Sequence, residues 1–258
     1  MGEICKIKDL AIGYNTTNPT ISNINLSVQK GELISIIGPN GSGKSTLIKT
    51  LCGLQNPLSG DIILFEKTIQ KYNSKELSHQ LSFVLSDKID SGKLRVNEII
   101  SLGKFNNSNW WGTLNNKDKE FICNILEVMN LTHLKERFFY ELSDGEKQRV
   151  LIAKSLAQDT PLIILDEPTS FLDLPNRIEI FNYLKNIAYN ENKSIILSTH
   201  ELDLALTFSD KVWIIDNQSH ILECTPNDSQ ISNILQESFK LKNFLISDGR
   251  IIIKNPIS

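Results

Sequence analysis

Nine consecutive residues, Gly38-Pro39-Asn40-Gly41-Ser42-Gly43-Lys44-Ser45-Thr46, have the types and spacing needed to hold a chain of phosphates. Glycines let successive backbone N–H groups converge on phosphate oxygens, Lys44 adds a point charge at the β/γ end, and Ser45 offers a hydroxyl to Mg²⁺. The apolar run Leu33-Ile37 precedes this loop and Thr46-Leu51 continues it as a helix, which is the strand, loop and helix context that such a loop requires. The chain is therefore expected to bind a nucleoside triphosphate.

Three further stretches hold groups that act on phosphates or protons. Leu162-Ile163-Ile164-Leu165 ends in Asp166 and Glu167, and two acids closing a buried strand are costly without a cation. Asp166 is the expected partner of Mg²⁺, and Glu167 the group to take a proton from an attacking water. His200 ends the run Ile195-Leu197. Ser143, followed three residues later by Glu146, reads in isolation as a helix N-cap box, and in this company as an anion site at a helix start.

The elements that must position these groups are legible in the pattern. Apolar runs at Ile4-Ile7, Ile24-Val28, Leu33-Ile37, Ile62-Leu64, Leu81-Leu85, Leu162-Leu165, Ile195-Leu197 and Val212-Ile215 predict strands. Most of the central runs are apolar without alternation, as in a parallel sheet covered on both faces; the first two alternate and predict antiparallel strands at an edge. From Asp87 to Gln158 helical spacing takes over, at Val96-Leu102, Lys117-Met129 and Gly145-Ala157. The expected fold is α/β, with a nucleotide-binding core at 1–86 and 159–225, a helical subdomain at 87–158 and an extension at 226–258. The loop Asn106-Gly112 carries Trp110 and Trp111, suited equally to a partner contact and to half-buried packing.

Composition excludes several alternatives. The chain has 258 residues, enough for one large α/β domain, and its net charge of −3 gives no electrostatic reason to bind nucleic acid. Cys5, Cys52, Cys123 and Cys224 stand singly, so neither a zinc site nor a disulfide framework is expected. Glu3, Lys6, Lys8 and Asp9 interrupt any secretory apolar core, and no apolar stretch reaches membrane-spanning length. A cytosolic chain is expected, free to dock on a membrane partner.

The stretch Leu142-Ser143-Asp144-Gly145-Glu146-Lys147-Gln148-Arg149 ahead of a helix resembles the signature of ATP-binding-cassette ATPases. The resemblance extends over nearly the whole chain. Tyr14 falls where the cassette stacks an aromatic on adenine, Ser170-Phe171-Leu172-Asp173 resembles the D-loop, and Ser198-Thr199-His200-Glu201 resembles the switch-histidine loop. The resemblance implies a P-loop NTPase (RecA-like) core, with ATP and Mg²⁺ as ligands and His200 as sensor of the γ-phosphate. It implies a homodimer in which Ser143 and Gly145 of one chain cap the ATP held by Lys44 of the other, near Asp173. The loops at Val96-Lys104, Trp110-Trp111 and Ser198-Ala205 look most like the importer branch for iron-siderophore, haem and vitamin B12 compounds. That branch implies permease subunits, an extracytoplasmic binding protein and a place on the cytoplasmic face of the cell membrane. A soluble single-cassette ATPase, such as one in iron–sulfur assembly, is the alternative.

Two positions depart from the family pattern. Ser86, followed by Asp87-Lys88, stands where the family has the Q-loop glutamine, which puts a Mg²⁺ contact and its link to the permease in question. Cys224-Thr225-Pro226 replaces a Gly-Thr-Pro turn.

Overall fold

The runs of aliphatic residues become two sheets with a helix between them. In this computed structural model the chain is described over residues 2–86, 92–107, 114–239, 244–247 and 250–253, with the backbone alone at 106–107, 244–247 and 250–253. The expectations for Asp87, Lys88, Trp110 and Trp111 lie outside these residues.

The strands β1 (Glu3–Ile12), β2 (Ile21–Gln29) and β3 (Leu33–Ile37) lead into α1 (Lys44–Leu51). After β4 (Ser59–Leu64), β5 (Lys67–Thr68), α2 (Ser74–Gln80) and β6 (Leu81–Val84) come three helices, α3 (Val96–Ser101), α4 (Asn116–Val128) and α5 (Asp144–Ala157). The chain then alternates through β7 (Leu162–Leu165), α6 (Leu174–Glu191), β8 (Ser194–Ser198), α7 (Leu202–Phe208) and β9 (Lys211–Ile215). It closes with β10 (Ile221–Cys224), α8 (Ile231–Phe239) and the hairpin β11 (Phe244–Ser247) and β12 (Arg250–Ile253).

The larger sheet runs β10-β9-β3-β8-β7-β6, parallel throughout except for β10, which pairs antiparallel with β9. Its central strands are buried along their whole length, which is why they read as uninterrupted apolar runs. The first two strands are antiparallel as expected, yet they do not form the edge of this sheet. They join β4 and β5 in a separate antiparallel sheet ordered β2-β1-β4-β5. The separation follows from α1: Leu47, Ile48 and Leu51 pack in one cluster with Ile7, Ile24 and Ile62 of the small sheet and Ile34, Ile164 and Ile196 of the large one. On the opposite face of the large sheet, Leu33, Ile163, Leu165, Ile195 and Leu197 meet α3, α4, α5 and α6 in a second cluster. Helices α7 and α8 cover β9 and β10 through Ala205, Leu206, Ile231 and Leu235.

With both faces of the sheet covered, the groups that can meet a ligand gather at the ends of its strands. Strands β3, β8, β7 and β6 are parallel neighbours, so their carboxyl ends deliver Gly38, Thr199-His200, Asp166-Glu167 and Ser86 to one edge. The backbone ladder extends into that edge, with Asp166 N–H donating to Val84 O at 2.8 Å and Thr199 N–H to Ile36 O at 3.0 Å. Cys5, Cys52 and Cys224 are buried and Cys123 is exposed, all four unpaired, and burial pushes the Cys5 thiol up to about 12. Among the described residues no helix is long and apolar enough to cross a membrane.

Candidate nucleotide site

The phosphate-binding loop is held open by its own backbone. Gly43 has φ +103°, and a Cβ there would lie 2.8 Å from Thr20 Cγ2, so only glycine both turns the loop and lets β2 approach it. Lys44 is buried, and its ammonium donates to Gly38 O at 2.9 Å and Pro39 O at 3.0 Å. Burial lowers the Lys44 pKa, while the charges of Glu167 and Asp166 oppose the shift. Ser42 Oγ is buried without a hydrogen-bond partner, an orphan inside a ring of glycines. An anion entering the loop would satisfy that hydroxyl and give Lys44 a counter-charge, so the residues present fit a triphosphate. Ser45 is exposed at the first turn of α1, open to a metal ion.

Asp166 is 1% exposed, and both of its oxygens are occupied by hydroxyl donors. Ser198 Oγ donates to Oδ1 at 2.6 Å and Ser86 Oγ to Oδ2 at 3.1 Å. Ser198 also accepts from the Glu167 N–H at 2.9 Å, which secures Glu167 in the left-handed conformation at φ +49° that a non-glycine residue adopts only under constraint. Glu167 Oε2 and His200 Nδ1 stand 4.0 Å apart, and His200 Nε2 is 3.3 Å from Glu201 Oε1. Lysine, two carboxylates, an imidazole and two hydroxyls therefore share one edge. Among the described residues no cluster of three His, Cys, Asp or Glu side chains could cage a metal. The donor set of Ser45, Asp166 and Ser86 instead fits Mg²⁺, a hard ion that keeps several waters and takes further oxygens from phosphates.

The other expected site residues lie elsewhere. Tyr14 is 81% exposed on the loop after β1, its ring open to stacking, and the adjacent Gly13 carbonyl accepts from Gln55 Nε2 at 2.7 Å. Ser143 caps α5 in full reciprocal form: its hydroxyl accepts from the Glu146 N–H at 3.3 Å, and the Glu146 carboxylate accepts from the Ser143 N–H at 2.8 Å. These bonds to Ser143, backbone first and side chain second, hold the Glu146 carboxyl below its ordinary range. Asp173 is likewise the N-cap of α6, its Oδ1 accepting from the Asn176 N–H at 3.2 Å. Ser143, Gly145, Phe171 and Asp173 line a separate open concavity of about 490 Å³ that does not include Lys44 or Glu167. A Cβ on Gly145 would meet Phe171 O at 3.1 Å, so glycine there lets the two loops share one surface.

Sequence reasoning missed the part played by Ser198. A hydroxyl residue closing the apolar run Ile195-Leu197 one strand away from Asp166 was the available signal, but only the pairing of β7 with β8 brings the two together.

A family model described as ABC transporter matches residues 21–170. An uncharacterized ABC transporter ATP-binding protein of Methanocaldococcus jannaschii is 35% identical over 97% of this chain and 87% of its own length. The iron(3+)-hydroxamate import ATP-binding protein FhuC of Bacillus subtilis is 32% identical over 94% of this chain and 90% of its own. Among solved structures, a nucleotide-free ATP-binding cassette from an ABC transporter superposes with a TM-score of 0.77 at 26% identity, covering 91% of this chain and 96% of that one.

Ser198→Ala removes a donor to a buried carboxylate and orphans the Glu167 N–H. It is expected to lower unfolding stability by about 1–3 kcal/mol in chemical denaturation, with Ser198→Thr nearer the parent.

Proposed function

The chain belongs to the ABC transporter family and is an ATP-binding cassette ATPase, and from that premise we propose that it powers an importer of iron(III)-chelate compounds, siderophores foremost. The observation that carries the hydrolytic part is the shared edge of Lys44, Asp166, Glu167 and His200, all at the carboxyl ends of neighbouring parallel strands. What supports the substrate class is the likeness over nearly the full chain to a protein that serves iron(3+)-hydroxamate import. The soluble-cassette alternative has no comparable observation in its favour.

In this reading Tyr14 stacks on the adenine, and the loop Gly38–Thr46 with Lys44 binds the phosphates. Ser45 and Asp166, with Ser86 beside them, would hold Mg²⁺, which when bound would neutralise phosphate charge. Glu167 accepts a proton from the attacking water, and His200 donates to the γ-phosphate. Ser86 acts through Asp166, since its hydroxyl already bonds that carboxylate. The concavity of Ser143, Gly145 and Asp173 would close over the ATP of a second copy, giving a head-to-tail homodimer with two shared sites. Residues 87–158 form the helical subdomain, 1–86 and 159–225 the core and 226–258 the extension. The dimer works on the cytoplasmic face of the cell membrane beneath two permease subunits, served by an extracytoplasmic binding protein.

Glu167→Gln keeps the shape of the side chain and removes the base. With ATP and Mg²⁺ it should lose turnover by about a hundredfold or more while accumulating as a dimer in size-exclusion chromatography. Turnover at the parent rate would refute the assignment.

Ser86→Ala and Asp166→Asn separate the two metal-side groups. Ser198 still holds Asp166 in the first variant, so the Mg²⁺ concentration for half-maximal ATPase should shift by no more than about threefold. The Asp166→Asn variant should shift it by about tenfold or more. A titration of ATPase against Mg²⁺ compares them, and equal defects would overturn the secondary place given to Ser86.

A further inference from the structure

His200 is half exposed, and its ring is held through its neighbours. The nearest is Glu201, 19% exposed at its side chain, whose Oε1 lies 3.3 Å from His200 Nε2. That same oxygen pairs with Arg177 Nη1 near the start of α6. Arg177 does not serve Glu201 alone: its Nε donates to the Leu172 carbonyl at 2.6 Å, within the Phe171–Asp173 turn. One guanidinium thus grips the turn with one edge and the histidine loop with another.

The connection continues in both directions. Asp173, which ends the turn, caps α6 through Asn176, and Asn176 Oδ1 accepts from Arg149 Nη1 of α5 at 3.2 Å. On the other side His200 Nδ1 reaches Glu167 Oε2 at 4.0 Å. Polar contacts therefore lead from Arg149 through Asn176 and Asp173 to the turn, and from the turn through Arg177 and Glu201 to His200, whose Nδ1 stands 4.0 Å from the acid at the end of β7.

We propose that Arg177 is a positioning residue that fixes His200 through Glu201 and ties that placement to the Phe171–Asp173 turn. The proposal rests on the ATPase reading of the Lys44–Glu167 edge and adds a regulation to it: the surface a second copy would meet is mechanically joined to the imidazole of the chain's own site. A guanidinium suits the task because its rigid fork serves two acceptors at fixed angles, whereas an ammonium is a point charge. Without Arg177, Glu201 is a partly buried carboxylate beside the His200 ring, and the imidazole is drawn to it or released. Small displacements of a group that acts in the transition state cost far more in rate than in binding.

The experiment is steady-state ATPase of the full chain, carried out as a double-mutant cycle. Arg177→Gln should lower kcat about tenfold with KM for ATP within about twofold, because Tyr14 and the phosphate loop are untouched. Glu201→Gln should fall in the same direction, and the double variant should be no worse than the weaker single, the mark of two residues acting as one unit. Arg177→Lys keeps the charge beside Glu201 but not both bonds, so it should recover part of the loss; it also replaces Arg177→Gln in the cycle if that variant does not fold. Losses that multiply in the double variant, an unchanged kcat, or a defect confined to KM would overturn the proposal. Absence of Glu167-dependent turnover in the parent would instead refute the ATPase reading, so the two failures are distinguishable.

Discussion

The site depends on a carboxylate that has almost no water. Asp166 is 1% exposed at the end of a fully buried strand, and such a charge persists only if its lone pairs are bonded and a cation stands near. Ser198 and Ser86 supply the bonds and Lys44 the nearby charge. Each comes from a different segment, so satisfying one acid fixes β6, β7, β8 and the phosphate loop relative to one another. The same hydroxyl of Ser198 then sets the backbone of Glu167, and the acid beside the phosphate loop inherits its geometry from the acid that is buried.

A parallel sheet gives this arrangement its direction. With helices and the second sheet covering both faces, polar groups gather where the strands stop, and the site lies across four of those ends. The helix start at Ser143 and the turn at Phe171–Asp173 belong to another surface, joined to each other by the close approach of Gly145 to Phe171 O. A single chain thus holds a phosphate-binding edge and, facing a separate space, the concavity that the proposed dimer would close over a second copy's ATP. Repeating the chain under two-fold symmetry is the economical way to bring unlike halves together twice.

Where burial was uniform, the sequence was legible. Leu33-Ile37, Leu162-Leu165 and Ile195-Leu197 read as strands because every residue in them is covered, and α3, α4 and α5 appear within a residue or two of their expected spans. The helix α6 did not announce itself: its buried stripe of Ile180, Phe181, Leu184 and Ile187 is blurred by exposed Leu174, Ile178 and Tyr189. The separate antiparallel sheet was hidden because it depends on β1 pairing with β4 across more than fifty residues, which no local pattern records. Of the site, the phosphate loop, Asp166 and Glu167 were visible by type and spacing, and His200 through the family resemblance. The bonds made by Ser198, Arg177 and Glu201 were not, since each is defined by a partner on another element. Ser143 and Asp173 both carry the N-cap chemistry their residue types favour.

The central claim is that catalysis requires the Lys44 half of one chain and the Ser143 half of another. Lys44→Ala and Ser143→Arg should each be inactive alone, and mixing them tests the claim directly. A mixed dimer rebuilds one site from the intact halves, so ATPase activity should return, to about a quarter of the parent rate for random pairing in equal amounts. No recovery, under conditions where cross-linking of differently tagged chains demonstrates mixed dimers, would contradict a site shared head to tail.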